Sequence, residues 1–193
     1  MGALLMVLAP MGVVIAFVLK IGRAIGIVAI ALMVIAILVQ VIARYVFNNA
    51  LPWPDEAARF CMLWMTGLMA PTAFRRGGFV ALDMISGFMS PRVAAVLSLV
   101  LLLISLLILF MAVQIGWNEV TGFGGRFATA SLYLPTFDGW FRVPRSWMML
   151  SLMVGVVLLF VVNIELILRS IVQMLGGGDR LPQFDMGDMA GAE

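Results

Sequence analysis

Histidine is absent from this chain of 193 residues, and cysteine occurs once, at Cys61. Without histidine there is no bis-histidine haem, no histidine-ligated zinc or copper and no histidine-based triad. A lone cysteine supports no intrachain disulfide, no CxxC redox pair and no iron–sulfur ligand set. Charge is scarce as well, at 11% of residues, where soluble domains carry about 25%. The net charge of +2 makes no electrostatic case for nucleic acid. What is present is apolar: 64% of residues are hydrophobic and the mean hydropathy is +1.14. In water such a chain would expose large apolar patches and aggregate. The solvent that fits is the bilayer, where the 16 methionines serve as flexible apolar filler.

A spanning helix needs about 20 apolar residues, at about 1.5 Å each, to cross roughly 30 Å of hydrocarbon. Ala24–Ala43, Val93–Asn118 and Ser146–Ile164 are uncharged runs of that kind. A fourth span is hidden by a charged start. Pro54 suits a first helical position, and Asp55 and Glu56 sit in the first turn, where the positive end of the helix dipole favours carboxylates. Arg75 and Arg76 close the same helix at the end that favours cations, and Pro71 removes one hydrogen bond near that end. The expected fold is an all-α integral membrane protein with four transmembrane helices, near 24–44, 54–75, 92–118 and 145–168, within a bundle over residues 20–172. Residues 1–19 form an N-terminal hydrophobic segment. It lacks the basic start and cleavage site of a secretory signal, and Pro10 and Gly12 interrupt it. Its placement stays open between a short fifth span and a buried or re-entrant segment.

Orientation follows the basic residues of the short loops. Lys20, Arg23, Arg75, Arg76, Arg92, Arg169 and Arg180 fall on one side, against Arg44, Arg59, Arg126, Arg142 and Arg145 on the other. That majority puts both ends of the four-span core in the cytoplasm. Gly77–Pro91 reads as a short interfacial segment, with Ser90 and Pro91 opening the third helix. The tail over 173–193 is expected to be flexible and cytoplasmic.

Ionisable residues at mid-membrane mark ion paths and substrate sites, because burying them is expensive. The four spans carry none at their centres. Glu165 lies in the last turns of the fourth span, four residues before Arg169, and the pair has the spacing of an interfacial ion pair. A coupling-ion ligand is the rival reading of Glu165. Gln40 is expected to make an interhelical hydrogen bond, and Gly22 and Gly26 form a GxxxG that permits close helix approach. The five tryptophans fall mostly at span ends, as an aromatic belt does.

The densest stretch runs Arg44-Tyr45-Val46-Phe47-Asn48, then Leu51-Pro52-Trp53-Pro54-Asp55-Glu56, Ala58-Arg59 and Trp64, followed by Arg75-Arg76-Gly77-Gly78-Phe79-Val80 and Asp83. Physically it is a helix–turn–helix hairpin at the outer interface, in which Arg44 can fold back towards Asp55 and Glu56 while Trp53 anchors the turn. The string resembles the small membrane subunit of tripartite ATP-independent periplasmic (TRAP) transporters, the DctQ-type small permease. That family's pattern runs approximately R-Y-x-F-N, L-P-W-x-E/D-E, A-R, a tryptophan, then R-x-G-x-H-V and an aspartate. Arg44, Trp53, Asp55, Glu56, Arg59, Trp64, Arg75, Gly77 and Asp83 fall in register with it. Val143-Pro144-Arg145-Ser146-Trp147 is similar to the family's entry into its last helix. Phe79 departs from the pattern, standing where the family commonly has histidine.

The resemblance implies a role without an active site. Such a subunit packs against a large multispanning subunit that moves the solute, commonly an organic acid, on a sodium gradient. A periplasmic substrate-binding protein captures that solute first. The expected chain is therefore a non-catalytic scaffold in a bacterial or archaeal cytoplasmic membrane, in contact with lipid, without cofactor and without nucleic acid. Two rivals remain: a cofactor-free anchor of a membrane enzyme complex, and a self-assembling small channel.

Overall fold

The structure is a computed structural model that describes residues 2–77, 91–122, 128–136 and 139–174. It contains four helices: α1 (Gly2–Tyr45), α2 (Trp53–Gly77), α3 (Pro91–Thr121) and α4 (Arg145–Met174). Between α3 and α4 lies one antiparallel hairpin, β1 (Ala128–Thr136) with β2 (Gly139–Pro144). Three of the helices hold stretches long and apolar enough to cross a membrane: Pro10–Tyr45, Val93–Thr121 and Arg145–Met174. The architecture is that of an all-α membrane protein, with the hairpin as its one addition among the described residues. Asp83, Phe79, the expected interfacial segment and the expected tail from Leu175 onward lie outside the described residues.

The helix ends follow local chemistry. Arg44 sits in the last turn of α1, where cations are favoured. The chain then turns through Asn48, at φ 50°, a left-handed conformation that asparagine tolerates better than most residues. Val46 N–H donates to the Ile42 carbonyl at 2.9 Å and Asn49 N–H to the Ala43 carbonyl at 3.0 Å, which caps the helix. α2 opens with Pro54, Asp55 and Glu56 and closes with Arg75 and Arg76. Thr121 Oγ1 donates to the Trp117 carbonyl at the end of α3, and Gly122 N–H to the Asn118 carbonyl, each at 2.7 Å.

The N-terminal hydrophobic segment is neither a separate fifth span nor a re-entrant loop. It is the beginning of α1, a single helix of 44 residues with no reversal. Pro10 costs one backbone hydrogen bond, yet the buried face runs past it in unchanged register. Leu8, Gly12, Ile15, Leu19, Gly22, Gly26, Ala29, Ala36 and Ala43 are buried, and half-buried Met33 and Gln40 fill the gaps. These positions step alternately by four and three residues, the spacing of a left-handed coiled-coil seam. α1 thus gives the rest of the molecule one narrow stripe, mostly glycine and alanine from Gly22 onward.

The helices lie side by side in the order α1, α2, α4, α3, with α2 against both α1 and α4, and α3 chiefly against α4. Lipid tails are as apolar as leucine, so association here depends on close packing. The tightest contact is between α2 and α4. A Cβ placed on Gly155 would stand 2.6 Å from the Gly67 carbonyl oxygen, and one on Gly67 would strike the Ser151 carbonyl. Gly22 and Gly26 lie against Leu68 and Met69 of α2, so the GxxxG does face a helix of the same chain. At the end of the molecule away from the β-hairpin, Ile15, Leu19, Leu102, Val162 and Leu166 form a core, with Met11 and Phe74 packed against it.

The loop between α3 and α4 carries more order than a polar connection. Tyr133 pairs with Arg142, Leu134 with Phe141 and Pro135 with Trp140, and the register slips before Tyr133. Arg142 Cζ lies 5.7 Å from the centroid of the Tyr133 ring, a cation–π contact between directly opposed residues. β1 packs on α2, and Val143 is buried.

Candidate functional site

The last turns of α2 and α4 bring together the one deep carboxylate among the described residues and two guanidinium groups. Glu165 is 0% exposed. It stands 20 residues after Arg145 on α4, about 30 Å along the helix at 1.5 Å per residue. That places it at one boundary of the hydrocarbon if Arg145 marks the other. Arg75 Nε donates to Glu165 Oε2 at 2.9 Å and Arg75 Nη2 to Oε1 at 2.7 Å, a two-pronged pairing from α2. Arg169, one turn further along α4, donates to Oε1 through Nε at 3.1 Å and through Nη2 at 3.0 Å. The Arg75 and Arg169 side chains are only 12% and 8% exposed. Arg75 Nη2 also donates to the Gly12 carbonyl at 3.2 Å, so α1 joins the cluster through its backbone.

This geometry decides between the two readings of Glu165. A coupling cation needs lone pairs directed at it and no positive charge beside it. Here both carboxylate oxygens accept from arginine, and two cations stand within 3.1 Å. The site is a charge clamp joining α2 to α4 beneath α1, and it repels a cation. The spacing of Glu165 and Arg169 signalled their local pair. Arg75, 90 positions earlier, had no such signal, because only the parallel packing of α2 on α4, with Gly67 beside Gly155 and Arg75 beside Glu165, brings it there. The pair is also buried within the protein.

The residues of the dense motif go to different places. Arg44 is exposed at the end of α1 and makes no hydrogen bond or ion pair among the described residues, so the expected clasp onto Asp55 and Glu56 is not what holds the turn. The turn is held by the backbone bonds around Ile42 and Ala43. Trp53 is 42% exposed at the start of α2, as suits an interfacial anchor. Asp55 and Arg59 are exposed, and Glu56 is half-buried. Trp64 stacks obliquely with Phe60, ring centroids 6.3 Å apart, and its Nε1 is buried without a hydrogen-bond partner among the described residues. Gly77 ends α2.

Deep polar groups are few. Asn163 Nδ2 donates to the Leu102 carbonyl at 3.1 Å, an interhelical hydrogen bond between α4 and α3. The Gln40 Oε1, expected to bond between helices, is buried with no hydrogen-bond partner among the described residues. A groove of about 210 Å³ lies where Phe74, Ser105, Ile108, Leu109 and Leu159 meet, and no ionisable side chain lines it. Among the described residues no three His, Cys, Asp or Glu side chains converge on a metal-sized site.

Comparison with known families gives one finding: the family described as "Tripartite ATP-independent periplasmic transporters, DctQ component" matches residues 33–173. No curated protein and no solved structure matches the chain. The matched stretch holds α2, α3, the hairpin, the C-terminal part of α1 and almost all of α4, with Arg75, Glu165 and Arg169 among them. It leaves out the N-terminal part of α1, including Gly12. The chain belongs to the DctQ family, the small membrane component of tripartite ATP-independent periplasmic transporters.

Proposed function

We propose that this chain is a non-catalytic scaffold of a sodium-driven, binding-protein-dependent transporter for organic acids, in the cytoplasmic membrane. Its work is mechanical. It braces the static part of the large membrane subunit, so that the moving part has a fixed body to work against. The solute and the coupling ion travel through that large subunit, and a periplasmic protein delivers the solute. α2 crosses the membrane with the other three helices, shielded by α1 and α4, and both ends of the four-span core face the cytoplasm. The outer turn and the β-hairpin then lie on the periplasmic side, where they can help seat the binding protein.

The observation that carries this reading is the state of Glu165. A subunit that moved cations would keep such a carboxylate available, whereas this one spends its oxygens on Arg75 and Arg169. A clamp at the inner end of two helices stiffens a body and transports nothing.

Reconstitution tests the proposal. Proteoliposomes containing the large subunit and given the binding protein should take up solute on an inward sodium gradient only when this chain is included. Solute or sodium flux through liposomes containing this chain alone would overturn it, as would full uptake in its absence.

A further inference from the structure

α2 differs from α1 and α3, the two end members of the row, in what it shows to its surroundings. α1 and α3 expose large aliphatic and aromatic side chains along their whole length, as lipid-facing helices do. Past its first residue, α2 exposes one such side chain, Met62. Its other exposed positions include Asp55, Arg59, Thr66, Ala73 and Arg76. With Met62 they form a single stripe stepping by threes, fours and one sevenfold interval, all within one face of the helix at 3.6 residues per turn. The opposite side of α2 is taken up by α1 and α4. Neither Asp55, Arg59 nor Arg76 makes an ion pair among the described residues.

Such a stripe is poorly suited to lipid. α2 is not among the helices apolar enough to cross a membrane by composition, although it runs beside two that are. Arg59 stands six residues into the helix, about 9 Å from its start, on the open face. Thr66 and Ala73 leave shallow places further along, where another backbone can come close. Charge near the ends with small side chains between them is the pattern of a helix that packs on protein.

We infer that this face of α2 is the docking line for a transmembrane helix of the large subunit, an inference that rests on the function proposed above. The partner helix presents small residues to Thr66 and Ala73, and a carboxylate to Arg59 near its outer end. α1 and α3 keep their outward faces in lipid.

Photo-crosslinking in the assembled transporter tests it. A benzoylphenylalanine is placed at Thr66 or Ala73, and at Ile30 of α1 or Leu107 of α3 as controls. The tagged chain is purified after irradiation with its large subunit co-expressed. Adducts with the large subunit from positions 66 and 73, and none from the controls, are the expected result. Adducts from the controls alone, an adduct with a second copy of this chain, or no protein adduct from an intact complex would each overturn the face. Failure of the large subunit to co-purify with the unsubstituted chain would overturn the functional reading and this one together. A Thr66→Trp variant, changed at an exposed position, should keep its own membrane level and lose about tenfold in recovered large subunit, equivalent to about 1.4 kcal/mol. Unchanged recovery would also overturn the assignment.

Discussion

Replacing Glu165 with glutamine preserves its shape and removes its charge, which isolates what the clamp contributes. The change leaves two nearly buried guanidinium groups facing a neutral amide. Breaking a buried pair in this way typically costs about 3–5 kcal/mol, chiefly from the charge left uncompensated. The melting temperature of the detergent-solubilised chain should fall markedly for Glu165→Gln, and a wild-type melting curve would refute the role given to the cluster. A second expectation separates clamp from charge. Replacing Arg75, Glu165 and Arg169 together by leucine or methionine should cost less than Glu165→Gln alone, because no orphaned charge remains. At this scale the sequence was half legible. A spacing of four announced Glu165 with Arg169, whereas nothing local could announce Arg75 or the Gly12 carbonyl.

Between elements, the contact most sensitive to volume is the α2–α4 crossing. Gly155→Ala puts a methyl group 2.6 Å from a carbonyl oxygen that cannot swing aside, so the helices must separate. Overpacking of that kind costs about 1–3 kcal/mol. Gly116→Ala meets its nearest neighbour, Met153, at an ordinary 3.6 Å and should be nearly neutral. Equal melting temperatures for the two variants would refute the close approach. Three helices were evident from uncharged runs, and α2 from its proline, its acidic first turn and its two closing arginines. The continuity of α1 was not, because Pro10 and Gly12 resemble a break until the four-and-three stepping of the buried residues is traced through them. The β-hairpin was missed for a different reason. Its strands are separated by Phe137-Asp138, and the Asp138-Gly139 pair does stand at the turn, but Pro135 within the first strand argues against a strand reading of that run.

For the whole molecule, the proposed orientation predicts a sidedness that labelling can read. In a Cys61→Ala background, cysteines placed at Asn49 and Tyr133 should react with an impermeant maleimide added to intact spheroplasts. One placed at Gln173 should react only after lysis. The reverse pattern would invert the orientation, and labelling of all three without lysis would break the four-crossing reading. The single-file order of the helices has a wider consequence. On the scaffold function proposed above, a row of helices in the order α1, α2, α4, α3 offers its outer faces and carries no cargo itself. Its fit is to a neighbour. Exchanging it between transporters that carry different solutes should then succeed or fail on how well the two proteins mate, with the identity of the passenger making no difference.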